Sequence, residues 1–358
     1  MSEPRAVPID PAAPAYDAYV RAHPRATLYH HGAWATVLRR AYRFEPRYLA
    51  LEDDGGTLRG VLPLLHKKGL VSDSRTRSMP VFPAGGPLAD TRELEVALIR
   101  AACDSARADT DLLQIHSMAD YSADLPDLVT DAMPPRWMLR IDTDLDTLRK
   151  GWRKSSNNLF RSLQKADRAD LAFREGTSDR DLASAYRLYL HTMRKWRSLP
   201  RSMRQLKLAR DLLAPGEFRI FLVEHRGRAA AAGVFHVHRG TVELIYNGSA
   251  DETLDLRPNH RLYWEVMSWA VAQGHHTFDF GTAQPTSSLG RFKSQWAEPV
   301  QHYRYSWRRG GTPSRAESMA TASYAVEYGG GEGLVAAAWR RAPLQLTRIG
   351  AVLAYRYL

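Results

Sequence analysis

Three strand-length runs follow one another between Phe218 and Asn247, parted by two-residue turns. FRIFLVE covers Phe218 to Glu224 and Arg226-Gly227 turns. Ala230 to His238 returns, Arg239-Gly240 turns again, and VELIYN covers Val242 to Asn247. Turns that short join only neighbouring antiparallel strands, so a three-stranded meander is predicted. A helix over 259–273 follows, opened by Pro258 and stopped by Gly274, and then a strand over 277–281.

The first half repeats this order. Arg47 to Leu51 reads as a strand, EDDGG as a turn, and Leu58 to Leu65 as a second strand in which Pro63 predicts a bulge or an edge. MPVFPAGGPLAD is extended, Glu93 to Ala108 is helical by its apolar spacing, and Asp111 to Ile115 is again a strand. Identity between the halves is negligible, so it is the shared order of elements that predicts two related α+β units. Their joint is expected near IDTDLDTLRKGWRKSSNNLFRSLQKADRADL, where a strand ends at Ile141 and a helix begins near Asp144. The expected division is an N-terminal extension over 1–24, a first unit over 25–143, a second over 144–310 and a helical tail over 311–358.

A chain of 358 residues suits two domains. Cys103 is the single cysteine, which excludes disulfides and cysteine-rich zinc sites and fits a reducing compartment. The N-terminal MSEPRAVPIDPAAPAYDAY does not read as a signal peptide, and no apolar run nears the roughly 18 residues of a spanning helix. A cytoplasmic location is expected. The net charge of +11 is uneven: Leu182 to Arg210 holds eight Lys or Arg and no acid, and Arg149 to Arg168 holds seven bases and one acid. Such clustering suits a polyanion such as RNA, a phosphorylated acceptor or an anionic membrane, or else an ordinary solvated face. DNA is not expected as a partner.

The most informative stretch is FDFGTAQPTSSLGRFKSQWA, Phe278 to Ala297. A buried strand breaks into a glycine-containing loop that delivers Lys293 between Phe292 and Trp296. Meander, helix and strand in this order fit an N-acyltransferase of the GNAT type, in which the central strands splay around the acyl donor. A glycine-rich turn at the helix start would bind the pyrophosphate of CoA through its amides. Here that turn reads LDLRPNHRLYW and has no glycine. Arg257 remains a phosphate candidate, but the amide cradle is absent, which argues against CoA.

RPNHRLYWEVMSWAVAQGHHTFDFG, GRFKSQWA and HYRY together resemble the FemAB-type aminoacyltransferases, and more narrowly their BioF2-like, FemAB-related acetyltransferase branch. HHGAWATVLRRAYRFEPRYLALEDDGGTLRGVLPLLHKK, VFPAGGPLAD and WRRAPLQLTRIG are similar to that branch too. The resemblance implies tandem GNAT-like domains, each a mixed, mostly antiparallel sheet flanked by helices. It implies transfer of an amino acid from aminoacyl-tRNA, as co-substrate, to an amine on a peptidoglycan precursor or small molecule, with no bound cofactor. An acyl-CoA donor is the alternative. The lysine after the phenylalanine, here Lys293, is implied to hold the developing oxyanion or a phosphate. SNNLFRSLQKADR departs from the family pattern, with Asn158, Arg161 and Lys165 as its matches. The chain also lacks an inserted coiled-coil arm.

With that resemblance, Lys293 is the expected catalytic cation, against a plain surface lysine at a hairpin edge. Asp279 lies between two phenylalanines and faces the other side of its strand. It either orients the attacking amine or caps the loop amides. Tyr246 and Asn247 end the third meander strand, where the fold places the donor carbonyl; a core tyrosine is the alternative. Asn259, Gly281, Gln284, Ser287, Arg291, Phe292 and Trp296 complete the expected donor and acceptor site, although Ser287 also suits ordinary turn chemistry. Arg194, Lys195, Trp196, Arg197 and Arg201 in MRKWRSLPRS are the expected phosphate or RNA grip, against a helix end favoured by its dipole. His30-His31, His236, His238 and His275-His276 have no carboxylate at ligand spacing, so no metal site is expected. The mixed apolar and arginine tail suits docking on the protein or a twin subunit, or contact with the inner membrane face.

Overall fold

The computed structural model describes residues 4–313, apart from 70–72, 81, 83, 84, 142, 143, 197 and 199. The first half runs β1 (Arg5–Pro8), α1 (Pro14–Ala22), α2 (Ala33–Tyr42), β2 (Glu45–Pro46), β3 (Leu49–Glu52), β4 (Leu58–Leu62), β5 (Leu65–Lys67), β6 (Arg75–Arg77), β7 (Leu88–Ala89), α3 (Arg92–Ala106), β8 (Leu112–Ser117), β9 (Val129–Ala132) and β10 (Arg136–Arg140). The second runs α4 (Leu145–Ser155), α5 (Asn157–Arg168), β11 (Ala172–Gly176), α6 (Asp179–Lys195), α7 (Met203–Leu212), β12 (Phe218–His225), β13 (Arg228–His238), β14 (Thr241–Ser249), α8 (Pro258–Ala272), β15 (Thr277–Thr282), α9 (Ser288–Lys293), β16 (Glu298–Val300) and β17 (Tyr303–Arg308).

These strands form three sheets, ordered β1-β3-β4-β7, β2-β5-β6-β8-β17-β9 and β11-β12-β13-β14-β15-β10-β16. Pro63 ends β4, and the chain passes from one sheet to another before β5. The proline cannot donate to a ladder, so the expected bulge is a break between sheets. The meander β12-β13-β14 is antiparallel throughout, and β15 returns parallel to β14 after the α8 crossover. The α6 helix opens with a capping box in which Ser178 and Asp181 satisfy each other's backbone donors.

The expected boundary at 143/144 is corrected by two exchanged strands. β10, assigned to the first unit, pairs with β15 and β16 in the sheet of the second. β17, assigned to the second, lies between β8 and β9 of the first. The residues expected as an N-terminal extension also belong to the first half: β1 pairs with β3, and Tyr16 and Val20 are buried. Such pairings satisfy open sheet edges over long sequence distances, which local patterning does not register. The tail expected over 311–358 lies outside the described residues from 314 onward.

The halves share a core. Ala209 of α7 and Leu213, just past its end, pack with Trp34, Leu38 and Tyr42 of α2. The Tyr42 hydroxyl donates to Gln205 Oε1 at 2.7 Å and accepts from the Ser202 amide at 3.0 Å.

Candidate functional site

The parallel pairing of β14 and β15 is short. Thr241, Val242 and Glu243 face Thr277, Phe278 and Asp279, and the strands then part. Lys293 sits at this parting. It is the last residue of α9 and is buried, and its Nζ donates to the Thr282 carbonyl at 3.0 Å. Gly281 lies beside it with a φ of 72°, which suits glycine; a Cβ there would stand at ordinary contact distance, 3.7 Å, from Lys293 Nζ. Burial lowers the Lys293 amine to about 7; Asp279 opposes that shift and Arg136 adds to it. The amine therefore titrates near neutrality, and its cationic form is poorly solvated. A poorly solvated cation is well suited to meeting a charge that develops in a transition state.

Local sequence explains its placement. Ser287 caps α9 by accepting from the Gly290 amide at 2.9 Å, and its own hydroxyl donates to the Gln284 carbonyl at 2.7 Å. Gly290 is required because a Cβ would stand 1.9 Å from the Gln284 oxygen. Arg291 ties back to the Thr286 carbonyl at 2.5 Å. Behind Lys293, Trp296 meets Trp152, Phe280 and Tyr263 at ring separations of 5.4, 5.7 and 5.8 Å. Phe292 lies against the His260 ring at 5.3 Å. The glycine-containing loop expected to deliver Lys293 is thus already helix from Ser288 onward. Ser287, Gln284, Phe292 and Trp296 build the support of Lys293.

Asp279 is fully enclosed. The Arg136 guanidinium donates to it through Nε at 2.7 Å and also through Nη2, and the Gly281 amide donates to its Oδ1 at 2.7 Å. The Gly281 contact is the loop-capping geometry; orienting the attacking amine stays the other proposal for Asp279. Arg136 Nη2 also reaches Glu243 Oε1 at 2.8 Å, and the Tyr29 hydroxyl donates to Glu243 Oε2 at 2.7 Å. Glu243 and Asp279 are register partners on neighbouring strands, so one guanidinium bridges two buried carboxylates. Burial pulls the Arg136 pKa down, but Asp279 and Glu243 more than reverse this, leaving it above the ordinary arginine value. Glu243 is pushed up by burial, against Arg136 and with the like charge of Asp279. Arg136, Glu243 and Asp279 line a cavity of about 270 Å³ whose other wall is Ala26 to Tyr29 of the first half. Arg136, Glu243 and Tyr29 were not singled out by sequence. A lone acid within each of two apolar strand runs, VELIYN and FDFG, was the available signal.

The remaining candidates scatter. Tyr246 is buried with its hydroxyl near Gln205 Nε2 at 3.3 Å and its ring 4.7 Å from Tyr189, as the core-tyrosine alternative has it. Asn247 points to the other face and donates to the Tyr263 hydroxyl at 2.8 Å. Asn259 donates to Ser249 Oγ at 3.2 Å, while its Oδ1 is buried without a partner among the described residues. Of the expected phosphate grip, Trp196 is exposed and Lys195 pairs with Asp251 at 3.0 Å. Arg194 lines a cavity of about 960 Å³ with Arg180, Arg187 and Arg228. Arg201 is half-buried, 4.9 Å from the Phe82 ring centre and 5.5 Å from that of Tyr246. Arg197 lies outside the described residues. Arg257 is exposed in a left-handed conformation at the start of α8. Pro258 has no N–H, and the amides of Arg257, His260 and Arg261 already donate to the carbonyls of Leu254 and Arg257. This turn does not present a run of free amides.

The sheet order, the parallel return after α8 and the parting strands define an α+β protein of tandem GNAT-like architecture. A family model described as acetyltransferase (GNAT) domain matches residues 153–294, the stretch that carries the meander, α8, β15 and most of Lys293's helix and support. The fold is similar to that of a solved FemX structure, with a TM-score of 0.64 and 17% identity over 84% of this chain and 96% of that one. It is also similar to the C-terminal domain of a putative lysylphosphatidylglycerol synthetase from Agrobacterium fabrum, with a TM-score of 0.55 and 14% identity over 89% and 96%. A tandem GNAT protein from the clavulanic acid biosynthesis pathway matches with a TM-score of 0.52 and 13% identity over 86% and 99%. Comparison with curated proteins returned no match. Among the described residues no helix is long and apolar enough to cross a membrane.

Proposed function

We propose that this chain is an N-acyltransferase of the FemAB-like kind, moving an aminoacyl group from aminoacyl-tRNA to an amine on a cell-wall precursor or small molecule. The observation that carries this reading is the buried amine of Lys293 at the parting of β14 and β15. The acceptor nitrogen attacks the ester carbonyl, an oxyanion forms, and the ester C–O bond breaks. The amine gives up one proton and the departing ribose oxygen gains one. The protonated Lys293 holds the oxyanion. Asp279 favours that cation electrostatically while Arg136 opposes it, and the substrates themselves manage the proton.

The choice of tRNA over CoA draws on the engaged turn before α8 and on the basic runs of α4, α5 and α6. The rival reading is an acyl-CoA donor in polysaccharide or natural-product synthesis. It draws on the acetyltransferase description of the matching family model. Binding of bulk aminoacyl-tRNA across a salt series, with CoA and acyl-CoA as competitors, separates the two. Binding that weakens steeply with salt and ignores CoA is expected. Weak RNA binding beside saturable CoA binding would replace the donor assignment with the rival one.

A further inference from the structure

We propose that His31, Glu217 and His238 form a site for one divalent transition-metal ion of the zinc class, set between the two halves of the chain. One ligand atom from each of the three lies within 4.8 Å of the others, the only such His, Cys, Asp or Glu group among the described residues. His238 Nδ1 stands 3.0 Å from Glu217 Oε1, and the His31 and His238 rings meet edge to face at 4.8 Å. Two imidazoles and one carboxylate are a donor set that binds zinc and leaves a fourth position open.

The surrounding structure aims these groups. The Ala214 amide donates to Glu217 Oε2 at 3.0 Å, which turns Oε1 toward the histidines. The Val237 amide donates to the Glu217 carbonyl at 3.0 Å, fixing that residue beside the end of β13. His31 is held at the start of α2, where its amide donates to Leu28 and its carbonyl accepts from Trp34. His238 Nε2 is buried and has no hydrogen-bond partner among the described residues, so the ring is held only through Nδ1. Arg21 faces the group and opposes a cation, while Asp17 favours one. Bonds of about 2.0–2.2 Å require the three ligand atoms to draw together around the ion. His31 comes from the first half, and Glu217 and His238 from the second, so a bound ion cross-links them. The separation of 186 positions between His31 and Glu217 explains why local ligand spacing does not reveal the group.

The test uses the full chain stripped with a chelator and titrated with Zn²⁺ against a chromophoric competitor. In parallel, Co²⁺ is added and its visible absorption recorded. One saturable equivalent per chain is expected, with a rise in unfolding temperature and a cobalt spectrum of nitrogen and oxygen ligation. Glu217→Gln, nearly isosteric, and His238→Ala are each expected to weaken binding by at least about tenfold, the smaller end of what even supporting residues cost. His191→Ala, at an exposed position, is the control expected to leave binding unchanged. Absence of a saturable equivalent in the unmodified chain overturns the proposal. So does binding that Glu217→Gln leaves intact.

Discussion

Replacing Arg136 with alanine is expected to destabilise the protein by about 3–5 kcal/mol, the usual loss when a buried ion pair loses one partner. Asp279 and Glu243 would face each other without the guanidinium that bridges them, both out of water. Glu243, already pushed up by burial, would lose the opposing pull of Arg136, and its folded-state pKa would rise further above the unfolded one. Such a group contributes stability below the unfolded pKa and loses it as pH rises through the folded one. The deficit measured by urea unfolding should therefore be smaller near pH 5 than near pH 8. Adding Glu243→Gln should recover part of the loss, because one carboxylate then remains where two stood. Arg136→Lys should fall between, since an ammonium keeps the charge but not the planar fork. A deficit below 1 kcal/mol that does not vary with pH would contradict the bridging role.

Lys293→Ala is expected to lower turnover by about 100- to 1,000-fold, the typical loss when one oxyanion donor is removed. Donor binding should change little, because the interaction is made only as charge develops. Turnover and donor affinity measured on the same preparations decide this. Equal losses in both would assign Lys293 to ground-state binding and remove the oxyanion role. Glu243→Gln separates positioning from direct chemistry. It alters the network behind Asp279, so its effect should fall mainly on the pH dependence of turnover.

Much of this architecture is written locally. The meander β12-β13-β14 declares itself through Arg226-Gly227 and Arg239-Gly240, both in left-handed turns. The α8 helix is bounded by Pro258 and Gly274, and the alternation in FDFG sends Phe278 and Phe280 into the core and Asp279 to the other face. Lys293 was legible because a lysine between Phe292 and Trp296 is unusual company for an ammonium. What was not legible is non-local. β10 and β17 exchange sheets, and nothing in RWMLR or YRYSWR states which edge they will complete. The bridge from Arg136 to Glu243 and Asp279 spans 107 and 143 residues. Tyr246 and Asn247 show the same limit at short range: adjacent in sequence, they point to opposite faces and into different environments.

The account depends on Lys293 being a buried amine that titrates near neutrality, and the most direct test needs no substrate. Unfolding free energies would be compared for the unmodified chain and Lys293→Met between about pH 7 and pH 10. The folded amine, at about 7, lies below its ordinary 10.5, so above about pH 7 the unfolded chain binds the extra proton. Stability of the unmodified chain should rise through this interval, with roughly 4–5 kcal/mol as the upper bound set by the two pKa values. The methionine variant should lack that rise and be the more stable of the two at the neutral end. Parallel curves would mean that the amine keeps its ordinary pKa in the folded protein, and would contradict a desolvated cation at the parting of β14 and β15.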